Sequence, residues 1–396
     1  MKFSEMNIEK SVLDSLVEIG YENPTEIQKE TIPLIKEGHD VIGQSETGSG
    51  KTAAFGIPLV ERIEKNGKIQ ALVLAPTREL SEQISRELMK FSKFKKLNIS
   101  CIYGGVSIEP QISNLRHSEI VVGTPGRILD HIQRRTLDLR NIKIFVLDET
   151  DKMLDMGFID DIEDIVRNVP KERQTLLFSA TMPENIFRLR DRFTRNVKRI
   201  KTQTKVREDL LEQFYFDIDQ NKKFSLLVHV IKKEEPNLSI IFCNTRVEAE
   251  NVSKNLRRNK INAEVLHGGI SQYRRNQIIE EFHKGKIEIL VATDVAARGL
   301  DIKNVSHVFN YSIPKNSEDY INRVGRTARA GKSGKAISFL AKIDHQAFQE
   351  ILNKYRPKVE KLETPRFPDL PFMKREEYRR FNRGFHPRRN HRFRSY

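Results

Sequence analysis

Short apolar runs rich in β-branched residues recur along the chain and alternate with longer stretches of helical spacing. In the first half the runs are Asp40–Ile42, Ala71–Ala75, Ile99–Tyr103, Ile120–Val122, Ile144–Leu147 and Thr175–Phe178. In the second half they are Gln213–Phe216, Ser239–Cys243, Ala263–Leu266, Glu288–Ala292, His307–Tyr311 and Ala336–Leu340. Strands that alternate with helices predict an α/β chain whose mainly parallel sheets are flanked by helices on both faces. The runs form two series. Between them KTQTKVRED (Lys201–Asp209) is polar and lacks an apolar period, which marks an interdomain linker. The pattern predicts a first domain over 1–203, a linker over 204–209 and a second domain over 210–362. Pro365, Pro368 and Pro371 then open a tail, 363–396. There is no short-period repeat, only this doubled strand–helix plan.

Composition narrows the classes. The 396 residues, 38% of them apolar, suffice for two ordinary cores. No stretch of about 18 residues is free of charge, so a membrane-spanning helix is not expected. Met1–Lys10 lacks the apolar segment of a secretory signal. The two cysteines, Cys101 and Cys243, are far apart and have no CxxC partner, which argues against a disulfide scaffold or a zinc site. Each sits on an apolar run and reads as a small core residue. A cytoplasmic protein is expected. The net charge of +15 is unevenly spread: Arg379 to Tyr396 holds seven arginines and no acid, with Phe381, Phe385, Phe393 and Tyr396 among them. Such a tail suits a nucleic-acid backbone, and its rings suit bases. A merely solvated, disordered tail is the competing reading.

The unusual short sequences follow the strand-like runs. QSETGSGKT, PTREL, TPGR, DETD and SAT do so in the first half, and CNTR, HGG and ATDVAARGLD in the second. In open parallel sheets ligands sit at the carboxyl ends of strands, so each half should gather its chemistry on one edge of its own sheet.

SETGSGKT (Ser45–Thr52) carries the strongest local signal. A small glycine-containing loop lets backbone N–H groups approach phosphate oxygens, Lys51 can reach the β and γ phosphates, and the Thr52 hydroxyl suits Mg²⁺. A Gly/Ser turn with no ligand is the plainer alternative. Asp148–Glu149 ends an apolar strand in two carboxylates. Asp148 is placed to hold Mg²⁺ and Glu149 to polarise an attacking water. The acidic run after it, Asp155 and Asp160 to Asp164, lacks a cation-loop spacing and reads as a solvated helix face. In RVGRTAR, Arg323, Arg326 and Arg329 lie three apart, on one face if helical. They are a solvated basic helix or, in a phosphoryl-transfer protein, candidates for stabilising transition-state charge.

In this order the segments resemble the DEAD-box ATP-dependent RNA helicases, from about Phe3 to about Leu362. The resemblance begins with GYENPTEIQ (Gly20–Gln28), preceded by Phe3. It continues through SETGSGKT, PTREL (Pro76–Leu80), Gly104–Gly105, TPGR (Thr124–Arg127), DETD (Asp148–Asp151) and SAT (Ser179–Thr181). IIFCNTR (Ile240–Arg246), HGG (His267–Gly269), Gln272 with Arg275, ATDVAARGLD (Ala292–Asp301) and RVGRTARAG (Arg323–Gly331) complete it.

The resemblance implies two RecA-like domains that use ATP and Mg²⁺. The phosphate loop would be Ser45, Glu46, Thr47, Gly48, Ser49, Gly50, Lys51 and Thr52. Tyr21 would stack on adenine, Gln28 would bond its edge, and Asp301 would approach the ribose. Arg326 and Arg329 would reach the γ-phosphate. Asp151, Ser179, Thr181 and Asn322 would couple the nucleotide to domain closure. RNA phosphates and 2′-hydroxyls would meet Thr77, Arg78, Gly105, Thr124, Arg127, Arg246, Gly268, Arg275, Thr293 and Arg298, a largely sequence-blind contact. A monomer is expected. The implied activity is RNA-dependent ATP hydrolysis with local duplex separation or remodelling of RNA–protein complexes. The chain departs from the family pattern at Thr150 (DETD, for Ala), at Ser45 (for Ala), at Asn322 (for His) and at Ala328 (for the frequent Gly). Asn322 leaves open an ATP-dependent RNA clamp with weak unwinding. An ATP-driven DNA translocase on the same two domains is the other rival.

Overall fold

The computed structural model describes residues 1–45, 48–182, 192–202, 210–297, 305–328 and 333–374. These residues divide into two compact units, one ending at Thr202 and the other starting at Leu210.

The first unit runs α1 (Lys10–Glu18), α2 (Glu26–Lys36), β1 (Val41–Gln44), α3 (Lys51–Arg62), β2 (Ala71–Leu74), α4 (Arg78–Phe91), β3 (Ile99–Ile102), α5 (Glu109–Leu115), β4 (Ile120–Gly123), α6 (Pro125–Gln133), β5 (Ile144–Leu147), α7 (Thr150–Asp155), α8 (Ile159–Arg167), β6 (Gln174–Ser179) and β7 (Lys198–Lys201). Its strands form one sheet in the order β3-β4-β2-β5-β6-β1-β7, with every pairing parallel. Strand side chains alternate between faces. Val41, Val73, Val122, Val146 and Leu176 pack with α1 to α4 on one face. Ile42, Leu72, Val121, Phe145 and Leu177 pack with α6 to α8 on the other. Burial on both faces is why these strands read as unbroken apolar runs.

The second unit runs β8 (Leu211–Asp217), α9 (Lys223–Glu234), β9 (Ser239–Phe242), α10 (Arg246–Arg258), β10 (Ala263–Leu266), α11 (Gln272–His283), β11 (Ile289–Ala292), α12 (Asp294–Ala297), β12 (His307–Asn310), α13 (Ser317–Val324), β13 (Gly334–Leu340), α14 (His345–Tyr355) and β14 (Glu360–Lys361). Its sheet order is β10-β11-β9-β12-β13-β8-β14, again all parallel. Counted from its own first strand, this is the order of the first sheet. The doubled plan of the sequence is thus a repeated topology.

All twelve expected runs overlap observed strands. Two strands were not foreseen. Lys198–Lys201 pairs with β1 along the sheet edge and is mostly exposed, so it carries no apolar period. It includes Lys201, the first residue of the polar KTQTKVRED segment, and the expected linker, 204–209, lies outside the described set. Glu360–Lys361 is a two-residue exposed edge on β8. The expected start of the tail at 363 also needs correcting. Leu362, Phe367, Leu370 and Phe372 pack on the second core. The Leu370 N–H donates to Ser225 Oγ at 2.9 Å, and Asn255 exchanges two hydrogen bonds with the Met373 backbone. Apolar burial holds this proline-containing stretch on the domain as far as Met373. The arginine-rich residues 379–396 lie outside the described set.

Candidate functional site

After β1 the chain turns through the glycine-containing loop into α3. Gly48 and Gly50 take φ of 88° and 92°, the left-handed region that glycine enters without a Cβ clash. A Cβ on Gly50 would lie 2.3 Å from Gln28 Nε2. The loop therefore delivers the first N–H groups of α3, the arrangement that receives phosphate oxygens. Lys51 is buried, and its Nζ donates to the Ser45 carbonyl at 2.6 Å. The Ser45 and Ser49 hydroxyls are 2.6 Å apart, which gives the departure at Ser45 a partner inside the loop. Gln28 Nε2 donates to the Gly50 carbonyl at 3.0 Å, and its Oε1 accepts from the Thr25 N–H at 2.9 Å. Gln28, expected at the adenine edge, thus also ties α2 to the loop. Tyr21 is half-buried, with its ring centroid 6.1 Å from that of Phe3 and 5.8 Å from that of Phe91.

β5 delivers Asp148 and Glu149. Burial pushes the Asp148 carboxyl up to about 7; the Lys51 ammonium opposes that rise and Glu149 adds to it. A buried carboxylate in that condition is relieved by a cation. Asp148, with Thr52 at the start of α3, therefore fits the Mg²⁺ that the resemblance implies. Glu149 adopts φ 50° and ψ 49°, a strained left-handed backbone for a non-glycine residue, and its N–H donates to Asp148 Oδ1 at 2.9 Å. The Thr150 hydroxyl lies 3.2 Å from the carbonyls of Leu147 and of Phe178. The extra hydroxyl of DETD thus bridges the ends of β5 and β6. Asp151 joins the SAT segment: its N–H donates to Ser179 Oγ at 3.2 Å, and its Oδ2 accepts from both the N–H and the hydroxyl of Thr181 at 2.9 Å. Ser179 Oγ donates to the Thr181 carbonyl at 2.7 Å.

A second set gathers at the ends of β2, β3 and β4. Thr77 caps α4, its Oγ1 accepting from the Leu80 N–H. The Arg78 guanidinium lies so close over Gly105 (φ 81°) that a Cβ there would sit 2.2 Å from Nη1. Thr124 caps α6. Arg127 donates to the Val106 carbonyl and to Gln111 Oε1, both at 3.2 Å. His131, fully buried, touches the same Gln111 Oε1 from Nε2 at 3.1 Å, and its Nδ1 is 2.8 Å from Thr136 Oγ1. Burial first, then Arg127, lowers the His131 pKa. Gln111 and His131 were not foreseen, because only tertiary structure brings them to Arg127.

The second unit repeats this layout on the equivalent strands. Thr245 caps α10 as Thr77 caps α4, and Arg246 lies over Gly268, 3.1 Å from where a Cβ would be. His267 Nδ1 accepts from the Gly269 N–H at 3.0 Å, which leaves Nε2 as the protonated nitrogen facing Glu250 at 3.2 Å. Arg275 Nη2 donates to the Ala296 carbonyl at 2.7 Å, and the Thr293 carbonyl accepts from the N–H groups of Ala296 and Ala297, both at 3.0 Å. Each unit thus sets a capping threonine, an arginine over glycine and a second arginine along three strand ends.

The expected arginine face needs correcting. α13 ends at Val324, so Arg323 and Arg326 do not share one helical face. Arg323 is 1% exposed and holds Asp294 bidentately, Nε at 2.6 Å and Nη2 at 2.7 Å. It also donates to the Ser312 carbonyl at 2.5 Å and to Asn244 Oδ1 at 2.9 Å. Its charge is spent inside the unit. Arg326 is also buried, and Asn322 is half-buried on α13. Glu46, Thr47, Arg298, Asp301 and Arg329 lie outside the described residues. Cys243 is buried as expected, whereas Cys101 is half-buried, and burial raises both thiols. No helix among the described residues is long and apolar enough to cross a membrane.

Comparison with known proteins agrees with this geometry. Residues 25–189 match the DEAD/DEAH box helicase family and 222–331 the helicase conserved C-terminal domain. The chain is 46% identical over 367 residues to the ATP-dependent RNA helicase CshA of Listeria monocytogenes, covering 92% of this chain and 71% of that protein. It is 46% identical over 366 residues to the DEAD-box ATP-dependent RNA helicase CshA of Geobacillus kaustophilus, covering 92% of this chain and 78% of that protein. Among solved structures it is similar to S. cerevisiae Dbp5 bound to RNA and ADP BeF3, with 31% identity and a TM-score of 0.84 over 91% of this chain and 95% of that one. The two repeated sheets and the chemistry at their strand ends are those of one family, and the chain belongs to the DEAD-box ATP-dependent RNA helicases.

Proposed function

We propose that the chain hydrolyses ATP in an RNA-dependent cycle and uses domain closure to separate short duplexes locally or to remodel RNA–protein complexes. The observation that carries this reading is the repeated strand-end layout. One sheet edge in each unit presents arginines and capping threonines suited to a sugar–phosphate backbone, and among the described residues only the first unit adds a phosphate loop with paired carboxylates. Lys51 and the α3 N-terminus take the ATP phosphates. Asp148 and Thr52 would hold the Mg²⁺, which would supply charge neutralisation at the ATP phosphates. Glu149 orients and deprotonates the attacking water. Asp151, bonded to both Ser179 and Thr181, links the carboxylate pair to the β6 end, so a change at the nucleotide reaches the SAT segment directly. Arg326 and Arg329 supply the charge that completes the site on closure.

ATP and RNA each favour the closed state, so each tightens the other. Bound RNA is held by its backbone in a shape that a regular duplex does not take, and one strand leaves. Hydrolysis reopens the units. The protein acts as a monomer in the cytoplasm, a reading its unpaired cysteines suit.

The test is release of a short RNA duplex with ATP, compared between wild type and Arg329→Ala. An arginine finger is worth ~10³–10⁵ in rate. The variant should bind ATP and lose release together with turnover. Duplex release that persists without turnover contradicts the coupling, and wild-type ATPase activity without release favours the clamp.

A further inference from the structure

Among the described residues no aromatic ring is more exposed than Tyr273, at 82%. It is the second residue of α11, between Gln272 and Arg275. That first turn is fastened on two sides. Arg274 reaches Glu264 of β10 at 3.3 Å, and Arg275 donates to Ala296 of α12 at 2.7 Å. Ser271 caps the turn by accepting from the Arg274 N–H. The ring therefore stands on a fixed backbone and has only two side-chain torsions to order on binding.

Its surroundings give the exposure a meaning. Isolated exposed apolar residues are ordinary. Here Val247 (51%), Tyr273 and Val295 (58%) each lie within two positions of Arg246, Arg275 or Thr293. The apolar exposure of this sheet edge is thus interleaved with its cationic and hydroxyl groups. Arginines matched to phosphates beside an exposed ring are the composition of a single-strand binding surface.

We infer that Tyr273 is a base-stacking subsite: its ring takes the face of one unpaired nucleobase of RNA held by its backbone at Arg246, Gly268 and Arg275. The inference rests on the RNA-binding reading above and adds a base contact to it. Stacking tolerates any base but needs one that is not sandwiched in a helix. The subsite therefore favours single-stranded over duplex RNA at the surface where strands part.

The chain contains no tryptophan, so Tyr273→Trp places a single indole at the subsite. The full-length variant is titrated, with a non-hydrolysable ATP analogue, against oligoadenylate and against an abasic ribose-phosphate strand of equal length. The expected result is indole quenching by oligoadenylate and none by the abasic strand. In parallel, Tyr273→Ala should bind oligoadenylate about 5-fold or more weakly, the lower end for one base–aromatic stack. It should bind the abasic strand as wild type does, and Tyr273→Phe should retain wild-type affinity for both. Equal affinity of Tyr273→Ala and wild type for oligoadenylate overturns the subsite. Equal loss on both strands overturns it as well, since the ring then acts on the backbone or on the fold. If the wild type binds neither strand, the RNA-binding reading itself fails and the subsite falls with it.

Discussion

Arg323 separates two accounts of the RVGRTAR segment. As a γ-phosphate ligand it would matter for turnover and little for stability. The structure instead gives it a buried structural role, and the cost of removing it can be worked out. Truncation to alanine leaves the Asp294 carboxylate without its bidentate partner and strips donors from Asn244 Oδ1 and the Ser312 carbonyl. It also removes a guanidinium 5.1 Å from the centroid of the Phe242 ring. Breaking a buried ion pair by removing one member costs about 3–5 kcal/mol. Asp294 is 20% exposed, so water recovers part of its charge, and the expected loss lies near 3 kcal/mol. Arg323→Lys keeps the charge but cannot form the fork, so it should fall between alanine and wild type. Urea unfolding of the full chain, followed by probes in each unit, measures this. The transition of the second unit should move to lower urea while that of the first stays in place. Arg323→Ala combined with Asp294→Ala should cost less than the sum of the two single changes. A loss under about 0.5 kcal/mol with turnover abolished would refute the reasoning and return Arg323 to the nucleotide.

Three further outcomes follow from the same geometry. Thr150→Ala removes a buried hydroxyl that bridges two carbonyls, so it should cost the first unit about 1 kcal/mol in urea unfolding and leave ATPase activity intact; a tenfold fall in kcat would assign the hydroxyl a catalytic part. Because burial raises Asp148 to about 7, protons compete with Mg²⁺ below that pH, and the Mg²⁺ concentration for half-maximal ATPase should rise about tenfold per pH unit as pH falls from 7; a flat requirement contradicts the assignment. In metal-free unfolding the dependence runs the other way: a raised carboxyl favours the folded state at low pH, and that contribution is lost as pH rises from about 4 through 7. Deleting residues 379–396 removes seven arginines and should reduce the salt slope of RNA binding by at most ~5 without changing the RNA-free ATPase; an unchanged slope leaves the segment merely solvated.

The parts of the fold visible in the sequence are those buried on two faces. Strands such as Ile144–Leu147 are apolar throughout because helices cover both sides of them. Lys198–Lys201 belongs to the same sheet but faces solvent along an edge, so its polarity hid it. The 363–374 stretch misled through its prolines, although Phe367, Leu370 and Phe372 were the visible sign that it had a surface to cover. The phosphate loop and the carboxylate pair were legible because their chemistry is local in sequence. Arg323 was not, since its partners Asn244, Asp294 and Ser312 come from three other elements and only the fold makes them neighbours. The shared Gln111 contact of Arg127 and His131 was hidden for the same reason.

The central claim is that RNA and ATP act on one catalytic cycle. It is tested most directly by steady-state ATP hydrolysis without nucleic acid, with single-stranded RNA and with DNA of the same sequence, using Glu149→Gln as the control. The account predicts stimulation by RNA, little by DNA, and none in the control, which should still bind ATP. Equal rates with and without RNA in a protein that binds both ligands, or stimulation that survives Glu149→Gln, would contradict it.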